Sequence, residues 1–222
     1  IGVSIRNFLY SVKLLKAVRF SIPVISIGNI AIGGTGKTPH VEYLIRLLQP
    51  YINVATMSRG YGRKSVGFKL VQQNSTVRDV GDEPLQYKLK HPQIPVSVAE
   101  SRALGIPELL KNHPEINTII LDDGFQHLSV KPHLNILLTT YKDPYFKDFL
   151  LPSGRLREWS SAASRADAII VTKCPPDMDA SEIAQWEESL DLRPGQSLFF
   201  STMTYGRPYS FFAPEVRFSL DT

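Results

Sequence analysis

Ten residues, Ile30-Ala31-Ile32-Gly33-Gly34-Thr35-Gly36-Lys37-Thr38-Pro39, stand between an apolar run, Pro23 to Ile27, and a stripe in which Val41, Leu44, Ile45 and Leu48 recur at i, i+3, i+4 and i+7. The run reads as a buried strand and the stripe as one face of a helix. Strand, glycine-rich turn, Lys-Thr and helix in that order is the setting of a phosphate-binding loop. Glycines let backbone N–H groups close around phosphate oxygens, and the helix N-terminus adds partial positive charge. In such a loop Ile32 to Thr38 line the phosphates, Lys37 reaches the outer two, and the Thr38 hydroxyl sits on Mg²⁺. Ala31 occupies the place where the strict pattern has its first glycine. The plainer reading is a glycine-rich turn before an ordinary helix.

A chain of 222 residues suffices for one sizeable α/β domain, or one and part of another. With 43% hydrophobic and 21% charged residues it has ordinary globular composition. The single cysteine, Cys174, permits no intrachain disulfide, is compatible with a reducing compartment, and reads as a small loop residue without a catalytic role. No window approaches the ~20 unbroken apolar residues of a membrane span, and no secretory signal is visible.

The net charge of +4 is unevenly spread: no acidic residue precedes Glu42, whereas Arg6, Lys13, Lys16, Arg19 and Lys37 do. Such a bias suits an anionic surface or substrate; no nucleic-acid recognition motif accompanies it. Ile1 to Phe20 reads as an amphipathic helix with Ile5, Phe8, Val12 and Leu15 on one face. Lys16 and Arg19 overlap that face and would snorkel if the helix lay on a bilayer; packing on its own domain serves the pattern equally.

Further along, Asn53 to Met57 predicts a strand running into the basic, glycine-spaced loop Ser58-Arg59-Gly60-Tyr61-Gly62-Arg63-Lys64, suited to anionic groups or simply a solvated turn. Phe68 to Val71 predicts another strand. Val80-Gly81-Asp82-Glu83-Pro84 opens a helix to about Lys90, with Asp82 fitting its N-cap. Ile94 to Val98 predicts a strand, and a helix to His113 follows in which Pro107 implies a kink or late start.

Thr118-Ile119-Ile120-Leu121-Asp122-Asp123-Gly124-Phe125-Gln126-His127 is the second strong signal, a β-rich apolar run ending in carboxylates. It resembles the Walker B element of phosphate-loop NTPases, whose Asp holds Mg²⁺ directly or through water. Strands at Leu134 to Thr139 and Ala166 to Thr172 flank a long connection carrying Arg155, Arg157 and Glu158, candidates for phosphate, metal or mere surface ion pairs. An amphipathic helix, Asp179 to Leu190, and a strand, Ser197 to Thr202, follow; Lys173 is a candidate for the nucleotide base. Strands separated by helices, with these motifs at strand ends, predict an α/β fold: a three-layer, mainly parallel sheet of the P-loop NTPase type with an N-terminal amphipathic helix.

Taken in order, the phosphate loop, Ser58 to Arg63, Val80 to Pro84, Asp122 to His127 and Leu151-Pro152-Ser153-Gly154-Arg155-Leu156-Arg157-Glu158 resemble the tetraacyldisaccharide 4'-kinase family of lipid A synthesis over nearly the whole chain. The resemblance implies transfer of the γ-phosphoryl of MgATP to the 4'-hydroxyl of a tetraacylated glucosamine disaccharide 1-phosphate at the cytoplasmic face of a bacterial inner membrane. It implies Asp82 and Lys37 as catalytic residues, and Gly33, Gly34, Thr35, Gly36, Lys37 and Thr38 as the phosphate cradle. Asp122, Asp123 and, more weakly, Glu158 join Thr38 as metal candidates. Arg59, Tyr61, Arg102, Gln126 and Arg157 are the acceptor-side candidates.

The resemblance divides the chain into a possibly membrane-docking helix (1–22), a kinase core (23–204) and the start of a linker (205–222) to a smaller C-terminal lobe. That lobe would supply a histidine partner for the catalytic aspartate, and the chain is expected to be a fragment at both ends. Two other readings stand beside this one: a regulatory GTPase or ATPase switch, and a non-catalytic module binding a membrane surface.

Overall fold

The computed structural model describes residues 2–204 and 206; the expected linker, Gly206 apart, lies outside the described residues. In chain order come α1 (Gly2–Ser11), β1 (Val24–Gly28), α2 (Lys37–Leu48), β2 (Val54–Ser58), β3 (Lys69–Leu70), α3 (Val77–Val80) and α4 (Asp82–Lys90). They are followed by β4 (Val96–Val98), α5 (Arg102–Asn112), β5 (Thr118–Asp122), β6 (Leu134–Thr140), β7 (Ala168–Thr172), α6 (Ala180–Leu190) and β8 (Ser197–Phe200).

The strands form one sheet in the order β3-β4-β2-β5-β1-β6-β7-β8, parallel throughout except where β3 runs against β4. The order places β1 at the centre, between β5 and β6. Because successive strand residues face opposite ways, Ile119 and Ile120 feed different cores. Ile27 and Ile120 pack with Val41 and Ile45 of α2 and Tyr87 of α4 on one face. Val24, Ile119 and Leu121 pack with Ile106 and Leu109 of α5 on the other. Beyond them, Leu137, Ile169 and Val171 meet Leu156, Ala162 and Leu190. Each fully buried Ile or Leu contributes roughly 1.5–3 kcal/mol by leaving water. The central strands are apolar on both sides because both faces are covered, which is the expected three-layer arrangement.

The N-terminal prediction needs correction. The helix ends at Ser11, not Phe20. Lys13 turns the chain through a left-handed conformation (φ 61°). Val18 then zips onto the loop after β5, its N–H donating to Ser129 O at 2.8 Å and its carbonyl accepting from Lys131 N at 2.8 Å. Tertiary pairing here overrides a helical pattern. Ile5, Phe8 and Val12 do stay exposed. Among the described residues no helix is long and apolar enough to cross a membrane. In α5, Pro107 interrupts nothing: the helix runs through it, anchored by fully buried Ile106 and Leu109.

The connection from β6 to β7 is a strap. Two 3₁₀ turns, Tyr145–Lys147 and Ser160–Arg165, bracket it. Ile32 N donates to Arg155 O and Arg157 N to Ile30 O, both at 2.8 Å, so the strap is laced to the glycine-rich loop beside β1.

Candidate active site

At the C-terminal end of the central strand the chain turns through Gly33 (φ 122°) and Gly36 (φ 83°) into α2. Lys37 is the first residue of that helix, so the loop's N–H groups and the helix N-terminus face the same space. A Cβ placed on Gly33 or Gly34 would meet nothing within 4 Å. That emptiness is what a backbone cradle for a polyphosphate requires. Thr35 Oγ1 is buried there with no protein partner. The loop borders a cavity of about 460 Å³ whose lining includes Thr140, Lys142 and Lys173.

Four side chains meet beside the loop. Lys37 Nζ is 3.5 Å from Asn29 Oδ1 and 3.7 Å from Asp123 Oδ1. Arg157 Nη2 lies 3.4 Å from Asp123 Oδ1 and also donates to the side chain and carbonyl of Asn29. Burial would raise the Asp123 carboxyl, but Arg157 and Lys37 outweigh it and hold it below the usual range. Arg157 is thus a brace of the phosphate loop, holding Asn29 and Asp123.

Helix α4 supplies the opposite wall. Its N-cap is Gly81, not Asp82. Asp82 is the first helical residue, exposed, with Oδ1 accepting from Glu83 N at 2.9 Å. The next residue, which the sequence reading passed over, points at the loop: the Thr38 hydroxyl donates to Glu83 Oε1 at 3.3 Å. One turn later the buried Tyr87 hydroxyl donates to Asp122 Oδ2 at 3.0 Å. Glu83 and Tyr87 are four residues apart, one helical turn, and that spacing is the signal that could have found them.

Asp122 is fully buried, and burial, then Glu83, pushes its carboxyl up to about 7. Its Oδ1 has no protein partner. Among the described residues no three His, Cys, Asp or Glu side chains form a metal cage. The Thr38 hydroxyl with the free oxygen of Asp122 is instead the sparse oxygen set suited to Mg²⁺, which keeps waters and phosphate oxygens in its shell.

Glycine contact ties the basic loop after β2 to the start of α4. A Cβ on Gly60 would lie 2.6 Å from Val80 O, and one on Gly81 would lie 3.0 Å from Gly60 Cα. Arg59 and Tyr61, the latter 86% exposed, project from this loop. Arg102 is completely buried at the start of α5. Its Nη1 donates to Ala99 O at 2.8 Å, while Nε and Nη2 have no partner; burial pushes it down to about 10. His127 is pushed down to about 4 by burial and then by Arg102, and Gln126 Nε2 is also buried without a partner.

Glu158 turns away from Thr38. Its Oε2 accepts from Asn7 Nδ2 at 2.7 Å and pairs with Arg165 Nη2 at 2.9 Å, and Arg6 lies 3.9 Å from Oε1. Oε2 is thus engaged while the buried Oε1 has no hydrogen-bond partner, and the two arginines beside the carboxylate give it charge partners other than a metal.

The family model LpxK, tetraacyldisaccharide-1-P 4'-kinase, matches residues 1–205. A tetraacyldisaccharide 4'-kinase from Phocaeicola vulgatus is 49% identical over 213 residues, covering 95% of this chain and 58% of the relative. One from Porphyromonas gingivalis is 49% identical over 209 residues, covering 93% and 58%. The crystal structure of LpxK from Aquifex aeolicus in complex with ATP superposes with a TM-score of 0.73 at 36% identity, over 89% of this chain and 59% of that one. The chain therefore spans rather more than half the length of these relatives. By the extent of these matches, the chain belongs to the tetraacyldisaccharide-1-P 4'-kinase family.

Proposed function

We propose that this chain carries the catalytic core of a kinase that moves the γ-phosphoryl group of MgATP to the 4'-hydroxyl of a tetraacylated disaccharide 1-phosphate. The observation that carries the reading is the meeting of Lys37, Arg157 and Asp123 beside a glycine loop whose backbone is bare, with Asp82 on the facing helix.

The roles follow from charge and position. The N–H groups of Gly33 to Thr38 orient the phosphates. Lys37 and Arg157 keep positive charge where the transferred group gains negative charge. Asp82, exposed and flanked by Glu83, receives the proton of the attacking hydroxyl. Thr38 and Asp122 would hold Mg²⁺, with Asp123 following Asp122 in the chain and Glu83 accepting from the Thr38 hydroxyl. When bound, that ion neutralises charge on the phosphate oxygens. Arg59, Tyr61, Arg102 and Gln126 face the acceptor; the unpaired guanidinium nitrogens of Arg102 are the donors an anionic or hydroxyl-rich acceptor would satisfy.

The site of work in this reading is the cytoplasmic face of a bacterial inner membrane. Exposed Ile5 and Phe8 on α1, with Arg6 beside them, support contact with a lipid surface. Nothing in the geometry favours a regulatory switch or a non-catalytic module over transfer.

The test is direct. The full-length protein in which this sequence occurs is incubated with MgATP and the disaccharide 1-phosphate in neutral detergent micelles, and the product is weighed by mass spectrometry. A 4'-phosphorylated product that disappears in Asp82→Ala is the expected result. An inert full-length protein would overturn the reading.

A further inference from the structure

The turn into α2 is held by a side chain as well as by its own backbone. Gly36, in a left-handed conformation (φ 83°), offers its carbonyl to His40 N–H at 3.3 Å, a long bond for the first turn of a helix. Pro39 has no N–H with which to share that oxygen. The His40 ring supplies the closer partner, with Nδ1 2.7 Å from Gly36 O. The ring also lies against the glycine itself: a Cβ on Gly36 would sit 3.6 Å from Nδ1. A carbonyl can only accept, so Nδ1 carries the proton, and Nε2 of the neutral ring accepts from the Ser201 hydroxyl at 3.1 Å. Val171 O, 3.4 Å from the same hydroxyl, is the more distant of its two acceptors.

Ser201 follows β8 and is itself fixed. Its N–H donates to Val171 O at 2.8 Å, and its carbonyl accepts from Cys174 N at 3.0 Å. At the end of neighbouring β7 the fully buried Thr172 donates its hydroxyl to Thr35 O at 2.9 Å. Two successive carbonyls of the phosphate loop are therefore tied to the ends of β7 and β8, one directly and one through the His40 ring.

In a planar trans peptide the C=O and the following N–H point opposite ways. Holding Thr35 O and Gly36 O thus fixes the headings of the Gly36 and Lys37 N–H groups. A glycine backbone turns over at little steric cost, and a flipped Gly36–Lys37 peptide would show a phosphate an oxygen where it needs an N–H. We infer that His40 is a positioning residue for the nucleotide: its ring, oriented by Ser201, locks the Gly36–Lys37 peptide with its N–H toward the phosphates. The inference rests on the nucleotide half of the kinase reading above.

Two amides divide the work of the ring. The side-chain nitrogen of Asn reaches the place of Nδ1, and that of Gln the place of Nε2. Full-length protein carrying His40→Leu, His40→Gln, His40→Asn or Ser201→Ala is assayed for KM of MgATP, KM of the disaccharide 1-phosphate and Kd of a fluorescent ATP analogue. His40→Leu and His40→Gln should raise the MgATP KM and the analogue Kd about tenfold, the worth of one hydrogen bond, and Ser201→Ala about threefold. His40→Asn, which keeps the donor to Gly36 O, should stay within about twofold of the native protein. KM for the acceptor should not move in any variant. An Asn variant as impaired as the Leu variant, a parallel rise in the acceptor KM, or no change in any variant would overturn the inference. Analogue binding needs no transfer, so an unsubstituted protein that binds the analogue but phosphorylates no acceptor would sink the kinase reading while the analogue Kd values still decide the role of His40.

Discussion

Two pairs of glycines flank the candidate active site, and they are glycines for opposite reasons. Around Gly33 and Gly34 there is nothing within 4 Å of an added Cβ; the backbone is bare so that a ligand can come close. At Gly60 and Gly81 an added Cβ would strike Val80 O at 2.6 Å and Gly60 Cα at 3.0 Å; there the backbone is bare so that two loops can touch. One pair makes room for chemistry. The other builds the wall that positions Asp82.

The contrast is sharpest for residues beside each pair. Asp82 stands on the wall but is exposed, so Asp82→Ala should lower kcat of the full-length enzyme by about 10²–10⁴, as expected for loss of a proton acceptor. Its melting temperature should stay within a degree or two of the native protein's. Gly60→Ala should do the reverse of a pure activity lesion. A clash with backbone at φ 70° should cost roughly 2–4 kcal/mol of stability, read by urea denaturation of this chain. Gly34→Ala should leave that denaturation curve in place, yet weaken binding of a fluorescent ATP analogue about tenfold by crowding the cradle. If Gly34→Ala unfolds the chain and Gly60→Ala does not, the division between the pairs is wrong.

The smallest effect concerns pH. His127 is pushed down to about 4 by burial and by Arg102, against an unfolded value near 6.5. Between those values the unfolded chain binds the extra proton, so this group's contribution is fully present above about pH 6.5 and is lost as pH falls toward 4. Asp122, pushed up to about 7, runs the other way but is common to native and variant proteins. His127→Gln should therefore lose about 1 kcal/mol less than the native chain between pH 7 and pH 5.5, by urea denaturation at each pH.

How much of this was legible in the sequence depended on how local the cause was. The phosphate loop and the Asp122-Asp123 strand end are local patterns, and the structure puts them side by side because β1 and β5 are neighbours. Arg157 and Glu158 show the limit. Adjacent in sequence, they read as candidates for the acceptor and, more weakly, for the metal, but on an extended strap neighbouring side chains leave on opposite sides. Arg157 reaches Asn29 and Asp123, and Glu158 reaches Asn7 and Arg165. Glu83 and Tyr87 were hidden for the converse reason: only the helical turn of α4 brings them to Thr38 and Asp122. The helix drawn to Phe20 failed at Val18, whose partner lies more than a hundred residues away on the loop after β5. The complete burial of Arg102 could not be read from its neighbours at all.

The ion pair between Lys37 and Asp123, 3.7 Å apart, means that the cradle rests with its own counter-ion already in place. A bare anion drifting in must outbid Asp123 for the lysine. An anion that arrives with a divalent cation brings the means to draw the carboxylate away. The resting contact thus sets any incoming anion in competition with Asp123 for Lys37.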